Sequence, residues 1–281
     1  MPEEVTKLIH KYLRHDKKFP HVWCPGCGNG IVLGALIRAI DRSGLDKDDI
    51  VLASGIGCSG RMPTYVDFNT LHTTHGRALT FATGIKLAKP ELTIIVIMGD
   101  GDATAIGGNH FIHAARRNID LNAIIINNQV YGMTGGQHSP ATPYGSRSAT
   151  SPYGHIEQAF SIAELAVSAG ANFVGRSTVY HAQLLEELIE KALQKPGFSV
   201  VEAVSNCHVQ FGRRNQSGDA VAMMKWQRDN AVRIEKADRM DPDDMEGKFT
   251  IGILADSDTP IYTEEYQKIR DRSKGRPGET P

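Results

Sequence analysis

Two of the four cysteines in this 281-residue chain lie three positions apart, in the segment WCPGCGNG, as Cys24 and Cys27. The other two, Cys58 and Cys207, are isolated along the sequence, and all four lie in stretches typical of loops. Four thiolates that converge from loops can ligate an iron–sulfur cluster. A CPxCG knuckle is equally typical of structural zinc sites. The residues alone therefore leave iron–sulfur, zinc and free thiols open.

A second group of polar residues follows two consecutive apolar segments. Residues 92–98 lead into GDGD, which holds Asp100, and residues 123–127 lead into NNQVYG, which holds Asn128. If the two segments are neighbouring parallel strands, these two side chains lie side by side. Their oxygens suit a divalent cation such as Mg²⁺, and the start of the helix after GDGD suits a diphosphate. Alone, GDG could be a turn and NN a capping loop. The succession of the two motifs after consecutive apolar segments is more specific for a cation site.

The elements that must position these residues alternate regularly along the chain. Short, nearly continuous apolar segments predict buried strands at 49–54, 92–98, 123–127, 172–177 and 198–204. Amphipathic segments between them predict helices at 29–42, 76–88, 109–117, 157–169 and 180–194. This alternation predicts an α/β fold with a mostly parallel sheet and helices on both faces. Ligands of such a fold bind beyond the carboxyl ends of the strands.

The alternation stops at about residue 205. Residues 221–237 have a helical pattern, and a short apolar segment, GKFTIGIL, precedes a charged tail. We predict an α/β domain over 1–205 and a C-terminal extension over 206–281. The extension carries one of the four cysteines and wraps the core or contacts a partner. The last ten or so residues are expected to be disordered.

Composition restricts the classes of function. The net charge is −1, from 31 basic and 32 acidic residues, and the sequence has no basic run. The charge distribution therefore does not indicate nucleic-acid binding. The N-terminal segment has no apolar region typical of a secretory signal, and no apolar run is long enough to cross a bilayer. We therefore expect a cytoplasmic protein without membrane contacts, whose thiols stay reduced.

Five motifs together resemble the β subunit of 2-oxoacid:ferredoxin oxidoreductases, most closely the 2-oxoglutarate type. They are CPGCGNG, SGIGCSGR, HTTHGRA, MGDGDATAIGGNHFIHAARRN and NNQVYGMTGGQHSPATPYG. The pair GDG and NN is also the signature of thiamine diphosphate enzymes. The likeness covers roughly residues 15–215, and it implies a thiamine-diphosphate-binding fold with thiamine diphosphate, Mg²⁺ and a [4Fe–4S] cluster as cofactors.

The resemblance also implies roles for individual residues. The cluster ligands are Cys24, Cys27, Cys58 and Cys207. The Mg²⁺ ligands are the side chains of Asp100 and Asn128 and the carbonyl of Val130. The diphosphate contacts are Gly101, Asp102, Tyr131 and Gly132. The residues nearest the thiamine rings are Ile56, Gly57, Cys58 and His75, of which Cys58 and His75 are the catalytic candidates. The cofactor-binding set also includes Gly99, Met133 and Thr134.

The implied reaction is the oxidative decarboxylation of a 2-oxo acid with CoA to an acyl-CoA and CO2, a reaction that could run in both directions. The leading substrate is 2-oxoglutarate, which gives succinyl-CoA, and electrons leave one at a time through the cluster to a ferredoxin. An α subunit supplies the other half of the active site in an (αβ)₂ heterotetramer.

Substrate identity is the least determined part of this interpretation. Many relatives have a lysine where this chain has Gly135, so pyruvate or a branched-chain 2-oxo acid is an alternative. Two other classes are an iron-free thiamine decarboxylase or synthase subunit and a zinc-stabilised binding module. The sequence assigns no role to His72, Arg213 or Arg214.

Overall fold

The structure is a computed structural model that describes residues 2–16 and 20–274. The strands are β1 (Ile50–Ser54), β2 (Asn69–His72), β3 (Thr93–Gly99), β4 (Asn122–Asn127), β5 (Val130–Tyr131), β6 (Gln137–His138), β7 (Phe173–Thr178), β8 (Ser199–Val204), β9 (Ala231–Arg233) and β10 (Phe249–Asp256). The helices are α1 (Pro2–Tyr12), α2 (Asn29–Ser43), α3 (Ala78–Ala88), α4 (Gly108–Arg116), α5 (Ile162–Ser168), α6 (Ala182–Gln194), α7 (Ala220–Asn230), α8 (Ile234–Ala237) and α9 (Tyr262–Lys274).

An eight-stranded sheet forms the centre of the described part of the chain, with the strand order β2-β1-β3-β4-β8-β7-β10-β9. The five strands predicted from apolar segments are its parallel core, β1, β3, β4, β8 and β7. Only β10 is antiparallel to its neighbour β7. Strands β5 and β6 form a separate antiparallel hairpin. The prediction of a mostly parallel α/β sheet is confirmed.

Each face of the sheet is covered by helices. In β4, Ile124 and Ile126 belong to one buried cluster, which also includes side chains of α2 and α6. Ile125 belongs to the cluster on the other face, which includes side chains of α3, α4 and α5. Successive side chains of a strand point to opposite faces, so a strand buried on both sides is apolar at every position. This explains the continuous apolar runs in the sequence.

Two predicted helices are wrong in part. The helix predicted over 157–169 begins only at Ile162, because Phe160 donates its backbone N–H to the carbonyl of Pro140 at 2.8 Å and Ser161 is extended. The helix predicted over 221–237 is interrupted, because residues 231–233 form β9 and pair with 249–251 of β10.

The C-terminal extension contributes strands to the same sheet as the core. Strand β10 contains most of the apolar segment GKFTIGIL and pairs with β7 across a bulge between Ile253 and Ala255. The division of the chain at residue 205 stays a prediction. Of the tail predicted to be disordered, residues 272–274 belong to α9, and 275–281 lie outside the described residues. Within the described ranges, no helix has both the length and the apolarity to cross a membrane.

Candidate functional site

The candidate site is a cavity, here called the strand-end cavity, at the carboxyl ends of β1, β3 and β4. Every residue predicted to bind thiamine diphosphate or Mg²⁺ lines it. These are Ile56, Gly57, Cys58, His75, Gly99, Asp100, Gly101, Asp102, Asn128, Val130, Tyr131, Gly132, Met133 and Thr134. Three lining residues were not predicted: Asn29, Ser59 and Ile126. Asn29 lies within the motif CPGCGNG and Ser59 within SGIGCSGR, so membership of these motifs is the signal that could have found them.

Asp100 is a deeply buried acidic group of the strand-end cavity, with 2% of its surface exposed. Its carboxylate accepts hydrogen bonds from the hydroxyl of Ser139 and from the backbone N–H groups of Gly101 and Asn128. Strands β3 and β4 are paired in parallel through Gly99 and Ile126, which brings these groups together. Burial raises the pKa of Asp100 to about 7, and the hydrogen bonds only partly offset it. A bound cation would relieve this desolvation.

The loop after β4 holds Asn128 in place by two local hydrogen bonds. The side-chain oxygen of Asn127 accepts from the N–H of Gln129 at 3.2 Å, and that of Asn128 accepts from the N–H of Val130 at 3.3 Å. Gln129 adopts a left-handed conformation with φ of 66°, which is uncommon for a residue with a side chain. Thr142 donates its hydroxyl to the carbonyl of Gln129 at 2.6 Å and fixes this turn.

Asp102 connects two loops that border the strand-end cavity. One of its oxygens accepts from Nδ1 of His75 and from the backbone N–H of Gly76 at 2.7 Å. The other oxygen is buried and has no partner among the described residues. Burial raises the pKa of Asp102, while the contacts with His75 and Gly76 lower it. When Asp102 is ionised, its carboxylate only accepts hydrogen bonds, so in that state Nδ1 of His75 is the donor and Nε2 faces away from Asp102.

Tyr131 lies directly over the backbone of Gly101. Its hydroxyl donates to the carbonyl of Gly101 at 3.0 Å, and a Cβ on Gly101 would overlap the ring of Tyr131. Burial, together with the charges of Asp100 and Asp102, raises the pKa of Tyr131 to about 12. Because an added Cβ would overlap the ring, residue 101 must be glycine for Tyr131 to approach the backbone. The backbone after it forms a π-helical turn, Asp102–Ile106, and such turns are frequent at functional sites.

The four cysteines lie together on one side of the strand-end cavity. A Cβ on Gly132 would lie 3.4 Å from Sγ of Cys207 and 3.7 Å from Sγ of Cys58. The Sγ of Cys27 accepts a hydrogen bond from the side chain of Asn29 at 3.1 Å. Burial, together with the charges of the other three thiolates, raises the pKa of Cys58 to about 11. The cysteines are therefore neighbours, and their role as ligands of one cluster stays a prediction.

Protein contacts hold the cysteine segments together. The indole N–H of Trp23 donates to the carbonyl of Cys58 at 2.6 Å. The side-chain amide of Asn206 donates to the carbonyl of Gly26 at 3.0 Å. Within residues 2–16 and 20–274, no set of three or more His, Cys, Asp or Glu side chains is arranged to hold a single metal ion.

His72 does not line the strand-end cavity. It ends the edge strand β2, and its Nδ1 lies 3.3 Å from the hydroxyl of Ser54.

Comparisons with known proteins agree with this geometry. Residues 55–203 match the family described as thiamine pyrophosphate enzyme, C-terminal TPP binding domain. The chain is 51% identical to the 2-oxoglutarate synthase subunit KorB of Methanothermobacter marburgensis, over 94% of this chain and 92% of the relative. It is 51% identical to the KorB subunit of Archaeoglobus fulgidus, over 92% of this chain and 93% of that subunit.

A solved structure is similar over almost the whole chain. It is the 2-oxoglutarate:ferredoxin oxidoreductase of Magnetococcus marinus with 2-oxoglutarate, coenzyme A and succinyl-CoA bound. The TM-score is 0.83 at 33% sequence identity, and the alignment covers 96% of this chain and 92% of that one.

Proposed function

Because this chain belongs to the thiamine pyrophosphate enzymes and, among them, to the family of 2-oxoglutarate synthase KorB subunits, we propose that it is the thiamine-binding β subunit of a 2-oxoglutarate:ferredoxin oxidoreductase. The enzyme converts 2-oxoglutarate and CoA into succinyl-CoA and CO2 and passes the two electrons released to a ferredoxin. The observation that carries this proposal is the strand-end cavity, which brings together the predicted residues from four separate motifs.

The donors of the strand-end cavity fit a Mg²⁺ ion with a diphosphate. The buried carboxylate of Asp100, the side chain of Asn128 and the carbonyl of Val130 supply the hard oxygens that Mg²⁺ requires. Gly101, Tyr131 and Gly132, which line the cavity, would hold the diphosphate. Its contact with Asp102 stays a prediction, because the carboxylate of Asp102 is engaged by His75 and Gly76. When bound, thiamine diphosphate supplies the nucleophilic carbon and the electron sink for decarboxylation.

His75 is the residue of this chain best placed to move or hold a proton at the thiamine rings. It lines the strand-end cavity and is 34% exposed at its side chain. The hydrogen bond from its Nδ1 to Asp102 fixes the direction of the ring, so Nε2 is the atom that can donate to or accept from the cofactor or substrate. Asp102 acts through His75 and is a positioning residue.

The four thiols fit the ligand set of a [4Fe–4S] cluster. Burial and then the charges of the neighbouring thiolates raise the pKa of Cys58, so the thiolate form is unfavourable without a metal, and iron would stabilise it. Cys58 is also a lining residue of the strand-end cavity. It therefore lies between the thiamine site and the other thiols, on a short path for electrons that leave singly to a ferredoxin.

A partner subunit completes the active site in this proposal. Two large apolar side chains at the strand-end cavity are exposed, Ile56 at 49% and Met133 at 45%. An α subunit covers them and supplies the carboxylate that activates thiamine, in an (αβ)₂ assembly. We place the enzyme in the cytoplasm, where cysteines that ligate iron stay reduced.

The test is anaerobic co-expression of this chain with its partner subunit, followed by iron and thiamine analysis and an assay of viologen dye reduction. We expect reduction that requires both 2-oxoglutarate and CoA, with succinyl-CoA identified by mass spectrometry. A higher kcat/KM with pyruvate or a branched-chain 2-oxo acid would replace 2-oxoglutarate as the substrate. A complex that contains neither iron nor thiamine would refute the proposal as a whole.

A further inference from the structure

A buried carboxylate, that of Glu202, lies beside the loop that carries two of the predicted Mg²⁺ ligands. Glu202 belongs to β8 and is 2% exposed. Strand β8 pairs in parallel with β4, whose last residue is Asn127. Asn128 and Val130 line the strand-end cavity, whereas Asn127, Gln129 and Glu202 line a separate cavity. Any effect of Glu202 on the cation site must therefore pass through the loop.

Glu202 is connected to this loop through the side-chain amide of Asn127. One carboxylate oxygen of Glu202 accepts from Nδ2 of Asn127 at 2.8 Å. The other oxygen accepts from the backbone N–H of Ala163, in the first turn of α5, at 3.1 Å. Since Nδ2 of Asn127 is directed at Glu202, its Oδ1 accepts from the N–H of Gln129 at 3.2 Å. The carboxylate thereby fixes which end of the Asn127 amide faces the loop.

The hydrogen bond between Asn127 and Gln129 supports the turn that presents the Mg²⁺ ligands. Gln129 has a φ of 66°, a conformation that is uncommon for a residue with a side chain and that needs support from its surroundings. Asn128 and Val130 are its two neighbours in the chain, so this turn sets the position of the Asn128 side chain relative to the Val130 carbonyl. Mg²⁺ demands a near-ideal octahedral geometry, so displaced ligands would bind it less tightly.

The position of Glu202 requires two acceptors, which a carboxylate offers and an amide does not. Burial raises the pKa of Glu202, while the guanidinium of Arg176, 3.9 Å away, and the two hydrogen bonds oppose this rise. Glutamine would not bury a charge, but it has one acceptor oxygen and an NH₂ donor. Because the backbone N–H of Ala163 cannot turn, the glutamine oxygen would pair with it. The Asn127 amide would then have to turn over, and its NH₂ would face the N–H of Gln129.

We propose that Glu202 is a positioning residue for the cation site, which acts through the amide of Asn127 on the turn between Asn128 and Val130. This inference rests on the proposed function, because it requires Mg²⁺ and thiamine diphosphate in the strand-end cavity. Removing a group that orients metal ligands typically weakens metal binding by roughly 10- to 100-fold. The effect of Glu202 is therefore expected in the affinity for Mg²⁺.

The experiment measures Mg²⁺ binding by calorimetry to the chelator-treated complex with the partner subunit, in the presence of excess thiamine diphosphate. Glu202→Gln should raise the Kd for Mg²⁺ roughly tenfold to hundredfold. Asn127→Ala should raise it to a similar extent. The double variant should bind no more weakly than Asn127→Ala alone, because both substitutions break one link. At saturating Mg²⁺ the kcat of Glu202→Gln should approach that of the wild type.

Glu186→Gln is the matched control. Glu186 is also buried, at 7% exposure, and accepts from the guanidinium groups of Arg38 and Arg42 on α2. None of these three residues lines the strand-end cavity. Urea unfolding should show that this variant is less stable than the wild type, while its Kd for Mg²⁺ stays within about twofold, as for an independent site.

An unchanged Kd in Glu202→Gln or in Asn127→Ala overturns the inference, and so does an additive effect in the double variant or an equal rise in Glu186→Gln. If Glu202→Gln does not fold, Asn127→Ala decides alone, because it removes the same link and leaves Glu202 its bond to Ala163. A wild-type complex without saturable binding of Mg²⁺ and thiamine diphosphate would instead refute the proposed function, and the role of Glu202 with it.

Discussion

Replacing Asp100 by asparagine should stabilise the cofactor-free protein while it removes cofactor binding. The carboxylate of Asp100 is buried, and its pKa is raised from 3.8 to about 7. At a pH between these two pKa values, Asp100 has released its proton in the unfolded chain but still holds it in the folded chain. The free energy of unfolding therefore falls as the pH rises through this window, and it levels off above pH 7. Asparagine does not ionise, so the free energy of unfolding of the variant does not fall in this way.

The size of the effect follows from the two pKa values. Their difference corresponds to about 4 kcal/mol at pH 8, at about 1.36 kcal/mol per pKa unit, and to about 2 kcal/mol at pH 5. The stability of Asp100→Asn relative to wild type should therefore be about 2 to 3 kcal/mol more favourable at pH 8 than at pH 5. Asn can keep the hydrogen bonds to Ser139 and to the N–H groups of Gly101 and Asn128.

Urea unfolding of the cofactor-depleted protein in a chelator, followed by circular dichroism at both pH values, measures this difference. Asp258→Asn is the control, because its side chain is 93% exposed. Calorimetry with Mg²⁺ and thiamine diphosphate should show no saturable binding to Asp100→Asn. An equal stability difference at pH 5 and pH 8 would refute the burial argument, and wild-type cofactor affinity would refute the assignment of Asp100 as a ligand.

Three further predictions address the other parts of the site. Cys207→Ser should lower the iron content and abolish ferredoxin-linked turnover while thiamine diphosphate still binds; full iron occupancy in an anaerobic iron assay would remove Cys207 from the ligand set. Gly101→Ala should weaken thiamine diphosphate binding in calorimetry, since the added methyl overlaps the ring of Tyr131. The double variant Gly101→Ala with Tyr131→Ala should bind the cofactor more tightly than Gly101→Ala alone. Equal affinity of the two variants would contradict the overlap. The chain without its partner should not reduce a viologen dye with 2-oxoglutarate and CoA, and adding the α subunit should restore the activity; equal rates with and without the partner would show that the active site lies within this chain.

The parallel core of the fold could be predicted because its strands are buried on both faces. A strand such as β4 has an apolar side chain at nearly every position, and this pattern is visible without a structure. Strands β2 and β9 lie at the two edges of the sheet and are largely exposed or half-buried. Their residues carry no continuous apolar run, so they were not predicted. The bulged strand β10 was recognised only as a short apolar segment.

The lining of the strand-end cavity could be predicted because its motifs follow strands whose carboxyl ends meet. The directions of the side chains could not be predicted. Asp102 was expected at the diphosphate, but its carboxylate is bound by His75 and Gly76, which are distant in sequence. The contact between Arg214 and Gly135 is likewise a matter of tertiary packing, between residues 79 positions apart. Sequence patterns indicate which loops converge, whereas packing determines what each side chain contacts.

The hydrogen bond between Asn206 and Gly26 has a consequence for the order of assembly. It joins the segment of the first two cysteines to the segment of the last one, which the ribosome makes only after β8. Closing a loop between segments 180 positions apart carries a large entropic cost, which contacts of the folded chain such as this hydrogen bond help to offset. If the four thiols hold one cluster, as proposed, its ligand set is complete only after translation has passed Cys207, when the five parallel strands of the core have already been synthesised.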